Sequence, residues 1–361
     1  MKAVRQFGKI AAQTTLAASM LLTAAIAQAH PEIAATEKMP VAGLYEIKFN
    51  QAADVLYVAA TGSRGEENAA RILVLDPESL AVQSEYDVGE TALYGLAVNN
   101  RTQTLYGTAT RTGHIVALDL ENGEVKGMVG GDRAHVRQLV VDEDTNTIYA
   151  SVVGSRRETD NPIPSSLWVI DGDAHEITKK IDIPGTLTGL DVDIDAGLAY
   201  MTDMNANHVV QVDIDSGDVL NQWPTGGEST INVAVDPEGQ RLFVTNQGSG
   251  TLTIMNAGNG DVIETIATGE GALSVAYNPD ANHIYVTNRR AGTTSVVDAE
   301  SYEIVSNLAT GTLPQSLAVD WETEVVYVSN KARGLGRNAP ADAEPVVDEN
   351  GDTVNRIIPN H

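Results

Sequence analysis

A short strand pattern, an aliphatic residue followed by Tyr-Val-Thr-Asn, returns seven times along this chain, most cleanly as Ile-Tyr-Val-Thr-Asn at 284–288 and Val-Tyr-Val-Ser-Asn at 326–330. The aromatic residues of the copies are Tyr57, Tyr106, Tyr149, Tyr200, Phe243, Tyr285 and Tyr327, at intervals of 49, 43, 51, 43, 42 and 42 residues. A period in the low forties, filled with strand and turn signals, is the length of one four-stranded propeller blade. The expected fold is therefore all-β, a seven-bladed β-propeller of four-stranded antiparallel blades, with insertions in blades 1 and 3.

Each repeat opens on an alternating segment, such as Ser274-Val275-Ala276-Tyr277, and a polar turn such as Asp236-Pro237-Glu238-Gly239. These are expected to be strand a, at the channel, and its turn into strand b, which carries the aromatic residue. Strand c ends at Asp76, Asp119, Asp171, Asp213 and Asp298, and strand d closes at Gly89, Gly130, Gly226, Gly269 and Gly311. The glycines supply turn conformations that a Cβ opposes. The last repeat has a, b and c patterns but no room for d. The segment 35–43 is expected to fill that place by pairing with the C-terminal strand, which closes the ring and covers a sheet edge.

Lys2, Arg5 and Lys9, an apolar run over 16–26 and Ala27-Gln28-Ala29 read as a signal peptide spanning 1–29 and cleaved after Ala29. A single propeller domain over 30–361, exported to the periplasm without membrane insertion, is the expectation, with a monomer as the expected state. The chain has no cysteine, which excludes disulfides, thiolate metal sites and thiol nucleophiles. Its formal charge is −26, a balance that taken alone repels nucleic acid and anionic membranes.

The Tyr-Val-Thr-Asn strands and Thr-Gly turns make the chain resemble the YVTN family of β-propellers over essentially its whole length after the leader. The segments Asn99-Asn100-Arg101-Thr102-Gln103-Thr104-Leu105, Glu121-Asn122-Gly123-Glu124-Val125-Lys126-Gly127 and Val286-Thr287-Asn288-Arg289-Arg290-Ala291-Gly292 carry the likeness beyond the generic repeat. The resemblance implies a periplasmic binder of DNA, preferring single strands, without an established catalytic activity. It also implies that Arg64, Arg137, Arg289 and Lys331 occupy positions that are basic in such relatives, which makes them candidates for phosphate contacts. This chain is more acidic than those relatives.

Position in the repeat assigns each charge to a face. The b–c loops are expected to hold Arg64, Arg71, Arg111, Arg156, Arg157, Arg289, Arg290, Lys331, Arg333 and Arg337, with Arg133 and Arg137 in the loop before the third strand a. The opposite face collects turn carboxylates, among them Asp76, Asp142, Asp193, Asp236, Asp280 and Asp320. A strand of about six residues at ~3.3 Å each separates the faces by roughly 20 Å, whereas physiological salt screens charge over about 8 Å. Local sign therefore outweighs net sign, and single-stranded DNA or another polyanion is the expected partner of the basic face.

Tyr45 and Tyr94, at the entry of strand a in blades 1 and 2, are candidates for stacking bases. The seven strand-b aromatics are expected to pack between blades. Asn246, Asn288 and Asn330 are expected to bond the backbone of the b–c turn. Arg111 and Arg290 complete the candidate ligand set of Tyr45, Arg64, Tyr94, Arg111, Arg137, Arg289, Arg290 and Lys331; most of this face is Arg, whose planar fork suits phosphate.

No catalytic triad, paired-carboxylate arrangement or Gly-rich phosphate loop stands out, and no enzyme activity, metal or cofactor is expected. His114 and His208 share a position at the start of strand c without a ligand-set pattern. Asp348, Asn350 and Asp352 lack the glycine position and terminal Glu of a calcium loop. The acidic insertion 334–352 is expected to compete with an anionic ligand, so that deleting it tightens binding. The alternative function is an envelope scaffold that binds protein partners.

Overall fold

The computed structural model describes residues 30–63, 67–154, 162–335 and 346–359. Its strands form seven four-stranded antiparallel sheets. In chain order they are β1 (Glu32–Lys38); β2 (Leu44–Asn50), β3 (Val55–Ala60), β4 (Ala70–Leu75) and β5 (Val82–Gly89) of blade 1; and β6 (Leu96–Asn99), β7 (Thr104–Ala109), β8 (His114–Asp119) and β9 (Val125–Gly130) of blade 2. Blade 3 is β10 (Val136–Asp142), β11 (Thr147–Val152), β12 (Ser166–Asp171) and β13 (Glu176–Asp182), and blade 4 is β14 (Leu187–Asp193), β15 (Leu198–Asp203), β16 (His208–Asp213) and β17 (Val219–Pro224). Blade 5 is β18 (Thr230–Asp236), β19 (Arg241–Asn246), β20 (Thr251–Asn256) and β21 (Val262–Ala267). Blade 6 is β22 (Ala272–Asn278), β23 (His283–Asn288), β24 (Thr293–Asp298) and β25 (Ile304–Leu308), and blade 7 contains β26 (Pro314–Val319), β27 (Val326–Asn330) and β28 (Thr353–Ile358).

Blade 7 is completed from the other end of the chain. Its order is β1-β28-β27-β26, with Glu32 opposite Ile358 and Lys38 opposite Thr353. The closing strand lies a few residues earlier than the sequence pattern suggests, because the stretch 39–43 is used to turn toward strand a. Lys38 Nζ donates to the carbonyls of Asp348 (2.8 Å) and Gly351, and Asp352 Oδ1 accepts the N–H groups of Gly43 (2.9 Å), Leu44 (3.3 Å) and Ala332 (3.1 Å).

The strand-b aromatics fill the seams between blades. Phe243 is fully buried in one cluster with Ala272 and Val275 of blade 6, and Tyr57 lies with Leu93 and Leu96 at the next blade. Truncating such a side chain to Ala removes about 3–5 kcal/mol.

The hydroxyl of the repeat has a second task. Strand a carries a bulge near its start in blades 1 and 3 through 7. A bulge leaves an N–H without a ladder partner. Ser151 Oγ accepts the N–H of Gln138 (3.1 Å), Thr202 Oγ1 that of Gly189 (2.7 Å) and Thr287 Oγ1 that of Ser274 (3.0 Å), and in blade 2 Thr108 Oγ1 accepts that of Gly95 (2.8 Å). The same hydroxyl position donates across the seam: Thr108 to the carbonyl of Arg137 (3.1 Å), Ser151 to Thr188 (3.2 Å), Thr245 to Leu273 (2.8 Å) and Ser329 to Tyr45 (2.5 Å). Blade 1 has Ala59 here, and the N–H of Glu46 reaches the carbonyl of Tyr94 directly at 3.3 Å. In blades 2, 3, 5 and 7 this one hydroxyl thus pins the residue at the channel mouth of the following blade.

The repeat's Asn departs from expectation at Asn246 and Asn288, whereas Asn330 Nδ2 does donate to a backbone carbonyl, that of Thr353 (3.3 Å). Asn246 Nδ2 donates to Thr251 Oγ1 (3.2 Å) and Thr253 Oγ1 (3.0 Å), and Asn288 Nδ2 to Thr293 Oγ1 (3.1 Å) and Ser295 Oγ (2.9 Å). The amide ties strand b to hydroxyls of strand c, because its buried side chain lies against the neighbouring strand rather than the loop. The closing glycines behave as expected: Gly89, Gly130, Gly226, Gly269 and Gly311 all have φ in the positive region, from 59° to 156°. Among the described residues no helix is long and apolar enough to cross a membrane.

Candidate polyanion-binding face

Strand alternation places the a–b and c–d turns on one face and the b–c and d–a loops on the other. The acidic face follows from turn chemistry. Asp76 Oδ1 accepts the N–H groups of Glu78 (3.2 Å) and Ser79 (2.8 Å); Asp171, Asp213 and Asp298 cap their c–d turns in the same way. Asp142, Asp236 and Asp320 cap a–b turns. Capping holds the Asp76, Asp213 and Asp298 carboxyls below the ordinary carboxylate range, although at Asp298 burial pulls first in the opposite sense. A short side chain that caps its own turn is favoured at such positions, and its charge comes with it.

At the other face, the second residue of each strand-a segment rings the channel mouth: Tyr45, Tyr94, Arg137, Thr188, Ile231, Leu273 and Gln315 in blades 1 to 7. In blades 6 and 7 the first residue of the b–c loop sits beside the ring residue of the next blade. In this way Arg289 Nε donates to Gln315 Oε1 (3.2 Å), and Lys331 Nζ lies 3.6 Å from the centroid of the Tyr45 ring. Tyr45 meets Tyr94 edge-on, with centroids 4.7 Å apart and planes at 74°, and the Arg111 guanidinium lies 5.8 Å from the Tyr94 centroid. The result is one row across blades 6, 7, 1 and 2: Arg290, Arg289, Lys331, Tyr45, Tyr94, Arg111. Burial lowers the Lys331 pKa, opposed by Tyr45, and Arg289 adds to the lowering; burial also lowers that of Arg289. Among the described residues, Arg111, Arg289, Arg290 and Lys331 form no ion pair with a carboxylate.

Four of the eight candidate residues, Lys331, Tyr45, Tyr94 and Arg111, are therefore joined by contacts along one row; Arg289 acts electrostatically on Lys331 and Tyr45, and Arg290 follows it in the same loop. Arg64 lies outside the described residues, as do Arg156, Arg157 and Arg337. Two sequence assignments change. Arg137 is in strand β10 rather than in the preceding loop, and its charge acts on Glu46 inside the channel, so it is an engaged cation at the edge of the row. Arg71 is in strand β4 and pairs with Asp87 (3.0 Å) and Glu85 (3.7 Å) of the outer strand, which removes it from the anion-attracting set.

The acidic insertion also reads differently. Asp348 Oδ1 accepts from Thr312 Oγ1 (2.8 Å) and Asp348 Oδ2 from the Arg333 N–H (2.9 Å), while Asp352 serves the ring closure. These two carboxylates are occupied as structural acceptors, and Asp352 also acts electrostatically on Lys331 of the basic row; residues 336–345 lie outside the described residues.

Residues that pattern reading missed line the channel below the row. Glu46 is 3.5 Å from Lys48, and burial raises its pKa against the pull of Lys48. Asp191, in blade 4, takes the N–H of Val235 (2.8 Å) at Oδ2; burial raises its pKa to about 6, opposed by its backbone hydrogen bonds and by Lys48. Aligning the seven strand-a segments by register would have marked Lys48 and Asp191, since both replace the small or apolar residue that the other blades place there. No group of three or more His, Cys, Asp or Glu residues suited to a metal ion is present among the described residues.

Seven four-stranded blades, the hydroxyl-pinned seams and closure by the N-terminal strand define the molecule as a seven-bladed β-propeller of the Tyr-Val-Thr-Asn repeat type. No family model matches the chain. It is similar to YncE of Escherichia coli K12, an uncharacterized protein, with 30% identity over 239 residues, and equally to YncE of Salmonella typhi. The match covers 62% of this chain and 65% of each relative's length. The chain spans less than two thirds of the length of these relatives and is a β-propeller similar to YncE.

Proposed function

We propose that the chain is an exported, periplasmic binding protein, not an enzyme, that holds single-stranded DNA or a chemically similar polyanion on the b–c and d–a loop face. The observation that carries this reading is the row of Arg289, Arg290, Lys331 and Arg111 beside Tyr45 and Tyr94 at the channel mouth, with no ion pair to a carboxylate among the described residues. Cations supply phosphate contacts, and aromatic rings supply faces for bases. Roughly one strand length separates the row from the turn carboxylates, more than a screening length at physiological salt.

The test is titration of labelled oligo-dT into the protein across a salt series, with duplex and heparin as comparisons. Reversing the two exposed cations, Arg111→Glu with Arg290→Glu, is expected to weaken oligo-dT binding at least about tenfold at low salt. Unchanged binding by a folded variant would reject the reading. A scaffold role has one observation in its favour: Trp321 is 43% exposed on the acidic face. Under that reading, capture of a protein partner is lost in Trp321→Ala and kept in the Arg111/Arg290 variant.

A further inference from the structure

The tyrosine that a base would stack on already carries a cation. Lys331 Nζ stands 3.6 Å from the Tyr45 ring centroid, and the ring is half-buried with Tyr94 against it at 74°. Lys331 has Arg289 nearby as a like charge and Asp352 as a weaker opposite one, and forms no ion pair among the described residues, so Tyr45 is its principal close electrostatic partner. Ring and ammonium therefore satisfy one another when nothing is bound.

Resting on the polyanion reading, we propose that Lys331 is a displaceable cap on Tyr45, and that a ligand bearing both phosphates and bases opens it by exchange. A phosphate takes the ammonium from the ring, and the adjoining base takes the ring face the ammonium has left. Cation–ring and base–ring contacts are of similar size, so neither half of the exchange is favourable enough alone. A base-free polyanion offers the phosphate without the base and leaves the ring covered, since the ammonium can meet a phosphate oxygen while remaining over Tyr45. The cap thus makes Tyr45 a selector for nucleic acid strands with unpaired bases over polyanions of equal charge. Neighbouring blades supply the geometry: Ser329 pins the Tyr45 carbonyl and Gln315 holds Arg289, while the Lys331 side chain is engaged with Tyr45 itself, the contact that the ligand exchanges.

The experiment reads the cap directly. In protein labelled with 13C-lysine, the ring current of Tyr45 shields the ε-methylene protons of Lys331, giving one lysine resonance well upfield of the others; its absence in Lys331→Arg assigns it. Saturating oligo-dT is expected to return this resonance to the ordinary lysine position, whereas inorganic polyphosphate of matched charge binds and leaves it shielded. The inference is overturned if oligo-dT binds with the resonance still upfield, if polyphosphate releases it equally, or if the free protein shows no shielded lysine. Binding isotherms recorded on the same samples separate this from failure of the parent reading: if neither polyanion binds at low salt, both fall.

Discussion

Thr108 shows how much one hydroxyl in the repeat does: it accepts the N–H of Gly95, just before β6, and donates to the carbonyl of Arg137 in the next blade. Thr108→Val keeps the shape and removes both bonds. Leaving buried polar groups unsatisfied costs about 1–3 kcal/mol, so the urea midpoint should fall accordingly, and a midpoint equal to wild type would show the bridge to be dispensable. Asp191 makes the opposite kind of prediction. Its folded-state pKa, about 6, is above the ordinary 3.8, so its contribution to stability is present below pH 3.8 and lost as pH rises through 6. Asp191→Asn keeps an acceptor for the Val235 N–H and has nothing to titrate; stability measured between pH 4 and 7.5 should decline less in the variant than in wild type. Equal pH profiles would mean that Asp191 titrates normally. Lys48 faces both Asp191 and Glu46, so Lys48→Met should push the midpoint of this pH dependence higher.

Among the strands, β1 is the one that joins a blade from the other end of the chain. It covers β28 over its length, and its last residue, Lys38, is bonded to the turn that leads into β28. Without it, blade 7 ends on an open edge, a template for pairing with another chain. Removal of residues 30–38 should lower the unfolding midpoint and produce concentration-dependent association in light scattering; a monomer of unchanged stability would show that closure is not carried by β1. Deleting the insertion 334–352 now carries a different expectation from the sequence reading, because Asp348 and Asp352 belong to the same lock. It should destabilise the ring, so a binding change in that variant does not report competition for anions.

The whole molecule is acidic at −26, yet the row at the channel mouth is positive. If all four described cations of the row meet phosphates, the logarithm of oligo-dT affinity should fall with log salt at a slope close to −3, from about −0.7 per contact on a single strand. A slope near zero would mean that attraction does not come from the row. The polarity itself has a plain origin. Turns closed by Asp side chains fall at one end of every blade, so the repeat that builds the sheets also loads one face with carboxylates, and the loops at the other end are left to vary.

That division also marks what could be read from the chain alone. Blade number, the identity of strands a to d, the closing glycines and the recruitment of an N-terminal strand all follow from local spacing and turn chemistry repeated seven times, signals that no distant contact can shift. Which cations are available was decided in three dimensions. Arg71 and Arg111 look alike in the sequence, but one lies along an outer strand beside Asp87 and the other over a tyrosine. The placing of Lys331 on Tyr45 joins residues nearly the whole chain apart, because ring closure sets blade 7 against blade 1. Pairing between side chains depends on distances that the repeat does not encode, so charge could be assigned to a face from sequence, while the freedom of each charge could be settled by the folded ring only.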